Sequence, residues 1–312
     1  MSTKSAPGID RLRAFTLAVT DLDRSVNFYT RVWGLEKVQQ REDSVFLKAA
    51  GTDHHVLVVQ RAQVPGLVSV TFGVPDQPAL HALYARLQAA GVKTEMAPRE
   101  LKSPGGGWGF AFHDPEGRVF KVVADRDDLA AAPPAQTRPV RLAHVVMNSV
   151  DSTAASAFFT EVVGFRLSDQ TAMMHFLRCN SNHHAIAFAK TGNTSLNHVA
   201  FEMASWNELM FGVGRLKEAG HLVQWGVGRH GPGDNVFAYF LDPDGLAIEY
   251  TAEVQQIDEA THRVGTPQEW VRPPNRMDQW GHADLASAAM KHAMHGGDAH
   301  ADPQQRTATD TP

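Results

Sequence analysis

The chain has 312 residues, 43% of them hydrophobic and 20% charged, with a formal net charge of −5. That length holds one large domain or two of about 150 residues, with a core that needs no disulfide staples. Its 29 basic residues are outnumbered by 34 acidic ones and spread along the chain, which argues against a nucleic-acid binder, and the single cysteine, Cys179, leaves no internal disulfide.

No run approaches the roughly 18 uninterrupted apolar residues of a membrane span, and Met1 to Asp10 carries no apolar leader, so a cytoplasmic protein away from membranes is expected. In chain order, Arg11-Leu12 and the run from Asp21 to Leu35 are matched about 130 residues later by Arg141-Leu142 and the run from Asp151 to Phe165. Each copy reads as an apolar strand, an acidic N-cap, an amphipathic helix and a closing glycine, Gly34 or Gly164. Phe28-Tyr29 and Phe158-Phe159 sit at equivalent places.

Asp53-His54-His55-Val56 is then matched by Asn182-His183-His184-Ala185, and Leu67 to Phe72 by Leu196 to Phe201, with a slip of one residue. Second helices are expected over 77–90 and 206–219. The turn Asp114-Pro-Glu-Gly117, leading to Lys121, pairs with Asp242-Pro-Asp-Gly245, leading to Glu249.

The fold class expected is therefore α+β, a duplication of tandem βαβββ modules followed by a C-terminal extension. The boundaries expected are 1–128 for a module without metal, 138–252 for the module with the site, 253–286 for an extension packed through Trp270 and Trp280, and 287–312 for a disordered tail. The Pro- and Ala-rich stretch from Asp125 to Thr137 reads as the linker. The Ala, Gly, Asp and His composition after about Ala286 predicts that the tail is dispensable for activity.

Three aligned positions differ between the copies in a way that carries chemistry. The second has His144, His198 and Glu249 where the first has Ala14, Ser69 and Lys121. Each candidate ligand falls on a different strand, so the fold must bring them together. Alternation would turn all three to one face and Val145, Val199 and Tyr250 to the other. Two imidazoles and one carboxylate on one side of a metal leave about three open positions, the arrangement of non-haem Fe(II) oxygenases.

These residues resemble the vicinal oxygen chelate superfamily, and within it the two-domain type I extradiol dioxygenases that open catechol rings, from about Leu12 to Thr251. The resemblance implies that His144, His198 and Glu249 hold Fe(II), with Mn(II) as the alternative, for cleavage of a catecholic substrate by O2. The run Cys179-Asn-Ser-Asn-His-His184-Ala-Ile-Ala-Phe resembles the family's His-His-x-x-Ala-Phe strand, which implies that His184 is the acid/base residue. His183, its strand neighbour, is expected to point away from the metal. Gly228-Arg229-His230, followed by Tyr239, resembles the family's Gly-Arg-His and Tyr pair, which implies that Tyr239 and His230 contact the substrate oxygens.

One departure is the loop from Gly231 to Asn235, where many relatives place Asn-Asp-His. Trp270-Val-Arg-Pro-Pro and Arg276-Met-Asp-Gln-Trp-Gly281 resemble a branch that acts on substituted monocyclic catechols or trihydroxylated rings, such as methylcatechol or 2,4,5-trihydroxytoluene. A homo-oligomer is also implied. Two other readings stay open: a glyoxalase- or epimerase-like metalloenzyme of the same superfamily, which usually needs four protein ligands, and a metal-free small-molecule-binding protein.

Overall fold

The structure, a computed structural model, describes residues 8–131, 138–271, 273 and 276–297. Most of the expected linker's second half (132–137) and the tail from 298 lie outside the described residues. The first module runs β1 (Arg11–Val19), α1 (Leu22–Asn27), β2 (Glu36–Arg41), β3 (Ser44–Lys48), β4 (Leu57–Arg61), β5 (Gly66–Gly73), α2 (Gln77–Ala89), β6 (Arg99–Glu100), β7 (Trp108–His113) and β8 (Val119–Ala124). The second repeats it as β9 (Pro139–Ser149), α3 (Ser152–Ala157), β10 (Arg166–Gln170), β11 (Met174–Arg178), β12 (Ile186–Lys190), β13 (Leu196–Met203), α4 (Trp206–Glu218), β14 (Trp225–Arg229), β15 (Val236–Leu241) and β16 (Ala247–Ala252).

Each module is one eight-stranded sheet, in the order β2-β3-β4-β1-β5-β8-β7-β6 and β10-β11-β12-β9-β13-β16-β15-β14. The expected duplication is present, and each module is itself doubled: two βαβββ halves meet where β1 pairs antiparallel with β5, and β9 with β13. Those central strands are covered on both faces. This explains why Leu12 to Val19 are buried without interruption, where a half-exposed strand would alternate.

Local chemistry starts and stops the helices. Asp21 and Asp151 accept hydrogen bonds from the backbone N–H groups of Arg24 and Ala154, the N-cap role their positions predict. Both helices continue into a π-helical turn, Phe28–Val32 and Phe158–Val163. Gly164 ends the second at φ 98°, where a side chain would be strained.

The two modules share one apolar core. Trp33, fully buried, stacks on Tyr250 with ring centroids 3.8 Å apart and packs edge-on against Phe201. Phe72 and Phe120 of the first sheet meet Phe159 in the π-helical turn of the second module. The Tyr29 hydroxyl donates to Asp242 at 3.0 Å across the same junction. This packing occupies the Val145, Val199 and Tyr250 face of the second sheet and leaves the opposite face for the site.

The extension differs from expectation at its far end. Residues 288–294, placed by the composition in a disordered tail, form α5 (Ala288–Met294), with Ser287 capping the N–H of Met290. Met290 is fully buried and Ala293 nearly so, against Phe237, Tyr239 and Ala247. Composition missed this because two buried side chains, Met290 and Ala293, dock so short a helix. Among the described residues no helix is long and apolar enough to cross a membrane.

Candidate metal centre

The site follows from strand register. His144 on β9 and Glu249 on β16 both pair with Ala200 on β13, so the three share a row and a face. His198 lies two residues before Ala200 and therefore points the same way. Ala200 is the floor, and its single methyl leaves room above it. The row continues outward, Glu249 to Tyr239 on β15 and Tyr239 to Trp225 on β14.

The His144, His198 and Glu249 side chains are buried, with ligand atoms all within 4.8 Å of one another. Glu249 Oε2 lies 3.2 Å from His144 Nε2 and 3.3 Å from His198 Nε2. Burial alone would raise the Glu249 carboxyl, but the charge and hydrogen bond of His144, with His198 beside it, hold it well below the usual carboxylate range. Burial lowers His198 from the ordinary histidine value. A fully buried carboxylate facing two imidazole nitrogens is costly unless a cation lies among them. The donor set, borderline nitrogen and hard oxygen, fits a divalent first-row metal.

Two groups flank this trio. On one side Tyr239, 2% exposed, has its hydroxyl 3.0 Å from His230 Nε2 and 3.5 Å from His198 Nε2. The Trp225 ring stacks on Tyr239 and Phe237 stacks on His230, which fixes both polar groups with apolar walls. On the other side the His184 ring lies 4.2 Å from that of His144. Burial, helped by His144 and His183, pushes His184 well below the ordinary histidine value.

His183 stands outside the clustered ligand trio, but strand alternation is not the reason. Both histidines precede β12 and are not in extended strand, so alternation does not apply. Their Nδ1 atoms are 3.0 Å apart, and His183 Nε2 lies 2.7 Å from Asp169 Oδ2. Trp270 Nε1 donates to the other oxygen of Asp169 at 3.0 Å. A chain of contacts thus runs from the half-buried Trp270 through the buried Asp169 and His183 to His184.

Sequence reasoning also missed Asn235, whose amide donates to Glu249 at 3.4 Å and Thr251 at 2.7 Å. The available signal for Asp169 was the duplication itself. Gln39 pairs with Phe46 as Asp169 pairs with Phe176, so an exposed amide stands where the second module buries an acid.

A model of the Glyoxalase/Bleomycin resistance protein/Dioxygenase superfamily matches residues 9–122 and 141–250. The chain is 36% identical over 123 residues to Metapyrocatechase 2 of Cupriavidus necator, which covers 38% of each chain. It is 26% identical over 298 residues to biphenyl-2,3-diol 1,2-dioxygenase of Metapseudomonas furukawaii, covering 89% of this chain and 95% of that one. The Mn(II)-bound glyoxalase from Novosphingobium aromaticivorans superposes with a TM-score of 0.85 at 37% identity, over 91% of this chain and 94% of the other. With more than half of its residues matched, in two tandem copies, the chain belongs to the Glyoxalase/Bleomycin resistance protein/Dioxygenase superfamily.

Proposed function

We propose that this protein is a metal-dependent extradiol dioxygenase that opens a substituted catechol or trihydroxylated aromatic ring with O2. The observation that carries the reading is one buried cluster of two imidazoles and one carboxylate on a single sheet face, with a third imidazole on one flank and a phenol on the other. His144, His198 and Glu249 would hold Fe(II), and a divalent metal held by three ligands on one side supplies coordination for both diol oxygens and for O2. Tyr239, backed by His230, donates a hydrogen bond to the deprotonated diol oxygen, an interaction strengthened by the charge it meets. His184 is on the opposite side and moves the proton that ring opening requires. The Trp225 and Phe237 walls exclude water from that end of the site.

The name of one relative, biphenyl-2,3-diol 1,2-dioxygenase, supports this reading, and its 26% identity leaves the ring substituents to experiment. The test is anaerobic loading with Fe(II) or Mn(II), followed by O2 uptake and visible absorbance with catechol, methylcatechol, 2,4,5-trihydroxytoluene and 2,3-dihydroxybiphenyl. Stoichiometric O2 uptake with a coloured product is expected, with the monocyclic diols fastest. The name of the Mn(II)-bound structure favours one second reading, a glyoxalase. Isomerisation of a hemithioacetal with no O2 uptake on any diol would establish that reading instead.

A further inference from the structure

The strand that carries His198 starts against the C-terminal helix, and the contact is polar. The carbonyl of Met294, in the last turn of α5, accepts from Asn148 Nδ2 at 2.8 Å and from Asn197 Nδ2 at 3.0 Å. Carbonyls of a helix's last turn have no partner further along the helix, so this acceptor is available to side chains. Asn197 Nδ2 also donates to Asn148 Oδ1 at 2.9 Å, and Asn148 Nδ2 to Ser195 Oγ at 2.8 Å. With both its N–H groups committed, Asn197 presents its oxygen to His198 Nδ1 at 2.8 Å.

That leaves one consistent assignment. A carbonyl can only accept, so Met294 sets the orientation of both amides. Oδ1 of Asn197 must then receive a proton from Nδ1 of His198, which makes Nε2 the bare nitrogen, and Nε2 is the atom that faces Glu249. Turning the Asn197 amide over would set its oxygen against Met294 O and Asn148 Oδ1. The first module has none of this: Ala18 and Val68 stand where Asn148 and Asn197 do, and Ser69 stands at His198. His144, by contrast, has no partner at Nδ1 among the described residues.

We propose that helix α5 is a positioning element of the metal centre, its Met294 carbonyl acting through Asn148 and Asn197 to hold His198 in the tautomer and orientation that ligation needs. The proposal rests on the metal reading above. It turns a segment whose composition marks it as dispensable into part of the site.

The test uses the full chain and Mn(II) alone as the probe, with affinity read by titration and electron paramagnetic resonance, and the tautomer of His198 in the metal-free protein read by 15N NMR. Asn197→Leu is expected to weaken Mn(II) binding by roughly 10- to 100-fold, the usual cost of removing a hydrogen bond that orients a ligand, and to lose the Nδ1–H signature. Asn148→Ala, which keeps one amide contact to Met294, is expected to cost less, and it carries the test if Asn197→Leu does not fold. Met290→Ala, which loosens α5 without touching the network, should weaken binding too. Its effect should be smaller than additive when combined with Asn197→Leu, because both act on one chain of contacts. A helix that merely stabilises the fold would lower melting temperature and leave affinity and tautomer unchanged, and that result overturns the proposal. No Mn(II) bound by the wild type would overturn the metal reading itself, whereas normal wild-type binding with unchanged variants overturns only the role of α5.

Discussion

The two modules have the same strand order and register but different chemistry. In the second, His144, Ala200, Glu249 and Tyr239 lie in one row; in the first the same row is Ala14, Thr71, Lys121 and Ala111. The backbone is therefore not what makes a site. Both modules even keep the His-His pair with its Nδ1 atoms 3.0 Å apart, His54-His55 and His183-His184. Only the second surrounds that pair with a buried acid and a row of ligands, so the first serves as a built-in control for each functional claim.

The sharpest break between the modules is expected at the ligands. The wild type should bind about one Fe(II) per chain, and His198→Ala should lose both the metal and turnover, because two protein ligands seldom keep a labile divalent ion. Ser69→Ala, its counterpart, should change neither. Metal analysis after gel filtration decides this, and two tightly held equivalents in the wild type would contradict the assignment of the first module as metal-free.

Next in size is the acid/base pair. His184→Gln should keep metal and substrate binding but slow kcat by roughly 10²-fold or more, as for loss of positioned proton transfer. His55→Gln should have no such effect. His183→Gln falls between them, roughly tenfold, because it removes the partner that joins His184 to Asp169. Wild-type kcat in His183→Gln would show that this chain is only structural.

A third change probes the junction. Trp33→Ala removes a fully buried ring from between the modules and should cost about 3 to 5 kcal/mol. Calorimetry should show both modules losing stability together, whereas a second, unshifted transition would mean that they fold independently.

The smallest effect is a pH dependence. Burial pushes Asp242, at the same junction, up to about 7. The folded protein therefore binds a proton that the unfolded chain releases near pH 4, and this contribution favours folding at low pH and fades as pH rises from about 4 to about 7. Asp242→Asn, which can still partner Tyr29, should flatten that part of the stability profile. An unchanged slope in denaturant titrations at pH 5 and pH 8 would rule Asp242 out as its source.

The duplication, the helix caps at Asp21 and Asp151 and the three ligand candidates were legible in the sequence because they depend on period, turn chemistry and aligned differences. The halves within each module were harder to see, since short strands such as β6 carry too few residues to show a pattern. The alternation argument for His183 does not apply, because alternation holds only inside a strand and the chain bends just before β12. Asn197 and Asn148 were visible as polar residues in apolar strands, but nothing local says what they bond.

The sequence by itself determined which residue types could hold a metal and that only one copy has them, because ligand chemistry belongs to the side chain and needs no neighbours to recognise. Tertiary structure alone decided that Asp169 stands behind His183 and that the Met294 carbonyl stands behind Asn197. Those pairs are 14 and 97 residues apart. Hydrogen bonds between such distant positions leave no periodic trace, and they exist only once the sheets have folded and α5 has docked.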